Sequence, residues 1–305
     1  VQLATRFIPA SRRSSTLPGA LANSRKSTAA LLDGPAAAAA TWVFAHLKNC
    51  ACAAPAVVVA VLCCLVSTPV FPQSARIAEV ARVIDGDTLT LTSGETIRLA
   101  GINTPEMAYK SRPGEPLAVA ARDALQAQVS GGWVGVETAP QAKDRHGRTL
   151  AYLFTPDGAS IQAALLRAGL ASAVVISPND YYLEGFIRAE DAARRFDRGI
   201  WALPYYAPHS PDHVRGGYQF VRGRLSPIEI GEKWFIFSLG QKFVILVRRT
   251  DWQTYFGYSP WALDQATIVA RGWVSKKQSR SKLVISHPFM LERCGTDPQR
   301  LCPAN

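Results

Sequence analysis

Residues 82–106 read RVIDGDTLTLTSGETIRLAGINTPE, and this stretch decides the fold. Polar and apolar residues alternate over residues 88–91, as in a half-buried strand, and the alternation resumes at Ile97 and Leu99. Residues 92–95, between these two runs, are Thr-Ser-Gly-Glu, a composition typical of a turn. The sequence therefore predicts a β-hairpin that folds the residues before its first strand back toward those after its second.

Polar groups gather at the open end of the predicted hairpin. Asp87 stands just before the first strand. Asn103, Thr104 and Glu106 follow the second strand, which itself carries Arg98. Oxygen ligands beside an arginine suit a hard cation and a phosphate group. We therefore expect a site for both at this end of the hairpin.

The stretch resembles the thermonuclease, or staphylococcal-nuclease-like, family. The resemblance rests on the motifs DGDT at 85–88 and RLAGINTPE at 98–106, followed by DRHGRTLAY at 144–152 and GIW at 199–201. An isolated DGD motif is usually only a turn, whereas this ordered set is far more specific. The resemblance covers residues 77–205.

The family resemblance implies an enzyme that cleaves phosphodiester bonds, leaves a 3′-phosphate and uses calcium. It implies catalytic roles for Arg98, Glu106 and Arg148, and metal ligation by Asp87, Asn103 and Thr104. We also expect nucleic-acid contacts by Arg145 and His146, with an ordinary surface position as the alternative for His146, and loop bracing by Asp85 and Asp144.

These residue types fit the chemistry of phosphodiester cleavage, which needs a nucleophilic water, charge neutralisation and stabilisation of the departing oxygen. Asp87 can hold a divalent metal, and Glu106 can orient or deprotonate a water. Arg98 and Arg148 are planar donors that can grip phosphate oxygens bidentately. Each residue taken singly also has an ordinary surface interpretation, and the ordered set favours the catalytic one.

Two positions depart from the family pattern. Asn103 stands where the family typically has Asp, so the site keeps an oxygen ligand but loses a negative charge, which weakens binding of hard cations. His146 stands where the family has Tyr. Two functions follow: an exported nuclease acting on DNA, RNA or both, or a catalytically weak or inactive module that binds nucleic acid or a protein partner.

The composition fits a polyanionic partner. The 305 residues carry a formal net charge of +11, and 48% of them are hydrophobic, enough for a sizeable core. A basic surface attracts nucleic acid, but it also simply keeps a protein soluble. Charge alone leaves these two interpretations even.

Residues 1–75 are predicted to lie outside the folded part. Residues 1–48 show little periodicity and are expected to be disordered. Residues 49–75 contain no charged residue and end in small residues, which predicts a secretory signal, with a membrane anchor as the alternative. We therefore expect export to the periplasm or the cell exterior, with the membrane as a partner if residues 49–75 are retained.

The remainder predicts a mainly β, α+β protein with two domains. Residues 76–207 are expected to form a five-stranded barrel of the oligonucleotide-binding (OB) type with about three packed helices. Residues 214–293 show five further strands with a helix among them, which predicts a second, smaller OB-like barrel, and residues 294–305 form a tail. This half resembles, more vaguely, the small domain that follows the nuclease in some exported bacterial members.

Several finer expectations accompany these domains. We expect a loop over 139–147, a strand over 171–176, a helix over 180–198 with Phe196 on its buried face, and a short helix over 258–265. Cys294 and Cys302 can form a small disulfide loop or remain free thiols. Aromatic residues beside basic ones in the second domain suit either single-strand binding or a core; they are Trp234, Phe237, Tyr255, Tyr258, Trp261 and Trp273.

Overall fold

A closed five-stranded barrel is built around the predicted hairpin. Its part of the chain contains β1 (Arg76–Asp85), β2 (Thr88–Leu91), β3 (Thr96–Leu99), β4 (Ile102–Asn103), α1 (Ala118–Gln128), β5 (Trp133–Lys143), β6 (Thr149–Phe154), α2 (Ile161–Arg167), β7 (Ser172–Ala173) and α3 (Leu183–Arg195). The barrel order is β1-β2-β3-β6-β5, closed by pairing of β5 with β1. Strands β3 and β6 are parallel, and the other neighbours are antiparallel. The predicted barrel with three helices is confirmed.

The computed structural model describes residue 72, residues 74–277 and 280–295, and residue 302. The expected disorder of residues 1–48 lies outside this part of the chain, as does nearly all of the expected signal or anchor at 49–75. Within the described ranges, no helix is both long enough and apolar enough to cross a bilayer.

The hairpin folds as its alternation predicts. Leu89 and Ile97 face each other across β2 and β3, and both are fully buried in the barrel. On α1, Ala118, Ala121 and Leu125 recur at three- and four-residue spacing and are buried, which fixes the face that packs on the barrel. Local pattern and tertiary packing agree at these positions.

The second part of the described chain forms a seven-stranded sheet. It contains β8 (Gly217–Arg224), β9 (Glu229–Ile230), β10 (Trp234–Ser238), β11 (Phe243–Arg248), α4 (Arg249–Tyr255), β12 (Thr267–Lys276), β13 (Ser281–Ile285) and β14 (Leu291–Arg293). The order is β14-β12-β13-β11-β10-β9, with β8 paired to β12. We call it the second sheet. The barrel expected here is not closed by a strand ladder, because β8 and β10 meet at one isolated bridge, Leu225 to Leu239.

Three local expectations were wrong, and a fourth is met by a shorter element. Strand β5 runs to Lys143 through the expected loop, and the expected strand at 171–176 shrinks to β7. Helix α3 ends at Arg195, so Phe196 caps it and is 64% exposed. The expected helix at 258–265 is a 3-10 helix, Pro260–Leu263, and α4 precedes it.

The extension of β5 has a clear physical reason. Pro140 lacks a backbone donor and therefore makes residues 139–147 look like a loop. In the structure the pairing of β5 with β6 is irregular between Thr138 and Lys143, so no ladder hydrogen bond is required of the proline. The strand continues through an interruption that single-residue propensity cannot anticipate.

A buried ion pair joins the second sheet to the barrel helices. Arg271 on β12 is 1% exposed, and its Nη1 lies 2.8 and 3.0 Å from the two carboxylate oxygens of Glu190 on α3. Glu190 also accepts from the backbone N–H of Ala173 at 2.6 Å, and Arg271 donates to the Ala173 carbonyl at 3.2 Å. The described residues from 72 onward belong to one compact unit. The domain boundaries given above stay a prediction.

Cys294 and Cys302 are joined in a disulfide. Of the two states left open by the sequence, the structure therefore has the bonded one. Cys302 is buried against Phe220 and Val269 of the second sheet, so the crosslink attaches the chain end to that sheet.

Candidate active site

The turn before β2 is shaped by a glycine between two aspartates. Asp85 accepts a hydrogen bond from the backbone N–H of Asp87 at 3.0 Å. A Cβ on Gly86 would stand 2.7 Å from the Cβ of Ala121 and 2.8 Å from Oγ1 of Thr104. Any larger residue would push the turn away from both neighbours. Glycine is therefore needed here for close packing, and the packing brings Asp87 to Thr104.

Asp87 is the most heavily bonded carboxylate of the site. It is 6% exposed. Its Oδ2 accepts from both the backbone N–H and the hydroxyl of Thr104, each at 3.0 Å, and lies 3.1 Å from Nη2 of Arg98. Its Oδ1 accepts from the Thr88 hydroxyl at 3.2 Å. The carboxylate orientation is thus fixed before any ligand binds.

Arg98 clamps the segment that follows β3. Its Nη1 donates to the carbonyls of Leu99, at 2.8 Å, and Ile102, at 3.1 Å. Its Nη2 donates to Oδ1 of Asn103 at 3.4 Å and also faces Asp87. Both terminal nitrogens therefore have two protein acceptors. The planar guanidinium holds the turn, the amide and the carboxylate in one arrangement.

The predicted metal ligands lie together beside this clamp. Asn103, 6% exposed, donates from Nδ2 to the Thr104 carbonyl at 3.2 Å, and Thr104 bonds Asp87. Carboxylate, amide and carbonyl oxygens are the donor types of a hard cation, so these residues fit one. The set carries one negative charge, and among the described residues no cluster of three or more His, Cys, Asp or Glu is arranged to hold a metal.

Two further carboxylates, Asp85 and Glu106, lie in surroundings that disfavour their charged form. Desolvation, together with the charge of Asp87, raises the pKa of Asp85 to about 6. Desolvation and the charges of Asp87 and Glu115 raise the pKa of Glu106. The backbone N–H of Glu106 donates to Glu115 at 3.0 Å, which fixes the approach of the chain. A carboxylate with a raised pKa is a better proton acceptor near neutral pH.

The loop between β5 and β6 presents the second predicted arginine. Asp144 accepts from the backbone N–H groups of His146, at 2.8 Å, and Arg148, at 3.0 Å, and from Nε of Arg148 at 2.7 Å. Burial raises the pKa of Asp144, but these hydrogen bonds and the positive charge outweigh it and lower the pKa. Nη1 of Arg148 reaches the Thr88 hydroxyl at 3.4 Å. This arginine is therefore oriented toward the start of β2.

Arg145 and His146 stand at the outer end of the same loop. Both are exposed, and Nε of Arg145 donates to Nε2 of His146 at 2.9 Å. Neither has a buried contact that would fix it. Their position suits contacts with a large substrate better than a step of the chemistry.

All ten predicted site residues line one cleft with a volume of about 1250 Å³. The sequence missed other lining residues, and these come from the loop after β4, from the connection between α3 and β8, and from the second sheet. They include Tyr109, Arg112, Glu115, Tyr205, Arg215, Tyr218 and Trp273. Trp273 belonged to the aromatic set noted in the sequence, but Phe237 of the same set is fully buried in the core. No spacing in the sequence separates these two outcomes.

Barrel, clamp and cleft define a class of nucleic-acid-cleaving enzymes, and comparisons with known proteins agree. A family model described as staphylococcal nuclease homologue matches residues 96–203. Thermonuclease from Staphylococcus hyicus is 33% identical over 127 residues, which are 41% of this chain and 75% of that protein. Thermonuclease from Staphylococcus intermedius is 34% identical over 125 residues, 40% of this chain and 74% of that protein.

A third relative extends the similarity to the bacilli. Endonuclease YncB of Bacillus subtilis is 32% identical over 130 residues, 41% of this chain and 61% of that protein. The chain belongs to the staphylococcal nuclease family, as the sequence motifs implied. Its class is that of the nucleases.

Proposed function

We propose that this chain is an exported nuclease that hydrolyses phosphodiester bonds of DNA, RNA or both by metal-assisted attack of water. The observation that carries the proposal is the meeting of Asp87, Glu106, Arg98 and Arg148 in one cleft. A carboxylate with raised pKa and guanidinium groups stand where substrate can enter. The relatives named thermonuclease and endonuclease support the same reaction class.

Asp87, Asn103 and Thr104 would hold the metal, and calcium is the ion that the family resemblance implies. A bound divalent ion would supply positive charge against the phosphate oxygens. The protein itself would keep the ligand oxygens of these three residues in a fixed arrangement. Arg98 does this by bonding Asp87 and Asn103 at once.

Glu106 and Arg148 carry the roles nearest to substrate in this proposal. Glu106 accepts a proton from the attacking water, which its raised pKa favours. Arg148 keeps Nε on Asp144 and offers the outer edge of its guanidinium to a phosphate. Arg145 and His146 contact the strand beyond the scissile bond.

Two features support export. Residues 49–75 have the composition of a secretory signal. The Cys294–Cys302 disulfide fits an oxidising compartment, because disulfides rarely persist in the cytosol. N-terminal sequencing of the natural product tests this proposal: a start near Arg76 supports export with cleavage, and a membrane-bound product that retains Lys48 supports an anchor instead.

The second candidate is a nuclease-like module that is weakly catalytic or inactive and binds nucleic acid or a protein. Asn103 favours it, since an amide replaces a charged ligand. Arg98, Glu106 and Arg148 are all retained, which favours the enzyme. The two candidates differ in whether phosphodiester bonds break.

One assay separates them: digestion of plasmid DNA and of RNA with calcium, with magnesium or with a chelator. We expect cleavage that a chelator abolishes. Glu106→Gln and Arg148→Ala should each lower the rate by on the order of a hundredfold, the usual cost of removing one preorganised group. Arg188→Ala, which removes an exposed charge of α3, is the control and should cleave normally. Normal cleavage by both site variants would refute the assignment.

A calcium titration of the cleavage rate tests position 103. Asn103→Asp adds a charge beside Asp87 with little change of shape, so the half-saturating calcium concentration should fall. The variant also gives up the Nδ2 donor to the Thr104 carbonyl, so folding is checked by circular dichroism. An unchanged or higher half-saturation would mean that position 103 is not a direct ligand.

A further inference from the structure

The cleft has a second wall that the barrel does not supply. Arg215 and Gly216, just before β8, line the same cavity that holds Asp87 and Arg148, together with residues 217–219 of β8 and Trp273 of β12. The matched family region ends at residue 203, so this wall lies beyond it. The function proposed above leaves these residues without a role.

Trp273 presents an indole ring at this wall. Its strand neighbour is Tyr218, and the two rings meet edge to face with centroids 5.1 Å apart. Trp273 is 39% exposed. By contrast, Phe220, whose ring packs against that of Tyr218, is only 2% exposed. Tyr218 supports the indole of Trp273, and the exposed part of the ring is a surface on which a planar base can stack.

Arg215 adds a positive charge at the same wall. Its guanidinium carbon lies 4.0 Å from the centroid of the Tyr205 ring, and its Nη2 donates to the Tyr205 carbonyl at 3.3 Å. Its backbone N–H donates to Gln219 at 3.0 Å. Three contacts therefore hold an otherwise exposed arginine in place. A guanidinium stacked on a ring keeps its edge available for a phosphate.

The second wall is fixed relative to the barrel site. The Tyr218 hydroxyl donates to the Ala173 carbonyl at 3.4 Å, and Arg271 bonds the same carbonyl. Ala173 and Ser172 pair with Ile102 and Asn103 of β4. The strand that carries the predicted ligand Asn103 is thus bonded through β7 to the strand that carries Tyr218. Groups on the two walls keep a constant separation.

We propose that this second wall forms a nucleotide subsite of the nuclease cleft, in which Trp273 stacks on an unpaired base and Arg215 contacts a phosphate of the same strand. The inference rests on the proposed nuclease function for the place of the scissile bond. A base in a duplex is stacked on its neighbours and cannot offer its face to Trp273. The subsite therefore favours single-stranded DNA or RNA over duplex substrate.

Binding without catalysis tests the subsite directly. The probe is a fluorescein-labelled oligothymidylate, titrated into the chain in excess chelator and low salt. Trp273→Ala should raise Kd about tenfold, within the range that base–aromatic stacking contributes. Trp273→Tyr should retain most of the affinity, because it keeps an aromatic face. Trp261→Ala is the matched control, since Trp261 is 55% exposed and lies outside the cleft, and it should bind normally.

A second pair of variants, one at Arg215 and one control, tests the role of Arg215. Arg215→Ala should weaken binding and reduce the slope of log Kd against log salt by about 0.7, the value for one phosphate contact on a single strand. Arg224→Ala removes an equal charge from the exposed last residue of β8, outside the cleft, and should leave the slope unchanged. Equal effects of the two substitutions would overturn the role of Arg215.

Cleavage kinetics complete the test. With a single-stranded oligonucleotide, Trp273→Ala should raise KM about tenfold at nearly constant kcat, while KM for a duplex changes little. If the wild type cleaves but Trp273→Ala and Trp273→Tyr both bind like it, the subsite is wrong and the nuclease function stands. If the wild type cleaves nothing yet its oligothymidylate binding depends on Trp273, the nuclease function is wrong and the subsite stands.

Discussion

The barrel and the second sheet arrange five strands in a similar order, but only the barrel closes and only the barrel carries the charged site. Strands β1, β2, β3, β5 and β6 of the barrel correspond to β8, β10, β11, β12 and β13, and in both the third strand runs parallel to the last. A helix precedes the fourth strand in each, α1 in one and α4 in the other. A similar strand order therefore occurs twice in the described chain, closed by a ladder in the barrel but not in the second sheet.

The register makes the comparison specific. Arg98 on β3 pairs with Thr88, and Arg248 on β11 pairs with Trp234. Arg98 is 9% exposed and bonded to Asp87, whereas Arg248 is exposed and lies 5.4 Å from the centre of the Trp234 ring. Equivalent arginines thus have opposite surroundings.

The difference shows that pairing order alone does not create a site. The barrel adds a glycine turn that delivers Asp87, and the carboxylate offsets the cost of burying a guanidinium. At the equivalent place the second sheet has an aromatic ring, and its arginine stays in water. Function here follows side chains placed on a repeated topology.

The largest expected effect concerns the ion pair that joins the two regions. Glu190→Gln removes the charge bonded to buried Arg271, and although the charge of Glu292 still acts on Arg271, the free energy of unfolding should fall by about 3–5 kcal/mol. Glu184→Gln, on the same helix but with a side chain 90% exposed, should change it by less than about 0.5 kcal/mol. Urea unfolding followed by fluorescence measures both. Equal losses would mean that the two regions are not coupled through this pair.

The next largest expected effect compares Arg98 with Arg248, the arginines at equivalent positions of the two sheets. Arg98→Lys keeps a charge beside Asp87 but loses the planar fork that also holds Asn103, so cleavage should fall by on the order of a hundredfold. Arg248→Lys makes the same chemical change at the equivalent register and should cleave like the wild type. The measurement is the initial rate of plasmid DNA cleavage by each variant in the presence of calcium. A loss in the Arg248 variant comparable to that in the Arg98 variant would give the second sheet a catalytic part.

The smallest expected effect is a pH dependence of the free energy of unfolding, caused by His287, which follows β13 of the second sheet. Nδ1 of His287 accepts from the backbone N–H of Phe289 at 3.2 Å, and burial lowers the pKa of His287 although Asp180 opposes this. A lowered histidine pKa means that its stabilising contribution is present above the ordinary pKa, about 6.5, and is lost as the pH falls. The Tyr255 ring packs beside it, with the two ring centroids 5.8 Å apart.

Substitution by asparagine isolates this contribution. His287→Asn keeps an acceptor at the same backbone N–H but does not titrate. Between about pH 7.5 and about pH 5.5, wild-type stability should therefore fall more than that of the variant. Urea midpoints at both pH values measure the difference. Parallel changes would show that His287 does not titrate with folding.

Local chemistry explains why much of the molecule could be predicted. The hairpin follows from alternation and a turn over a few residues, as Leu89 and Ile97 show by facing each other in the barrel core. The ten predicted site residues follow from motifs whose members are close in the chain and from the family resemblance. Their meeting in one cleft needs only the barrel to close.

Tertiary contacts decided the rest. Strand β5 passes Pro140 because of its pairing with β6, Phe196 turns outward because α3 ends before it, and Arg271 is buried because Glu190 on a distant helix meets it. Trp273 faces the cleft while Phe237 fills the core, although both are aromatic residues in strands. Sequence patterns report which face of an element is apolar, whereas the partner that covers that face comes from far along the chain and is set only by packing.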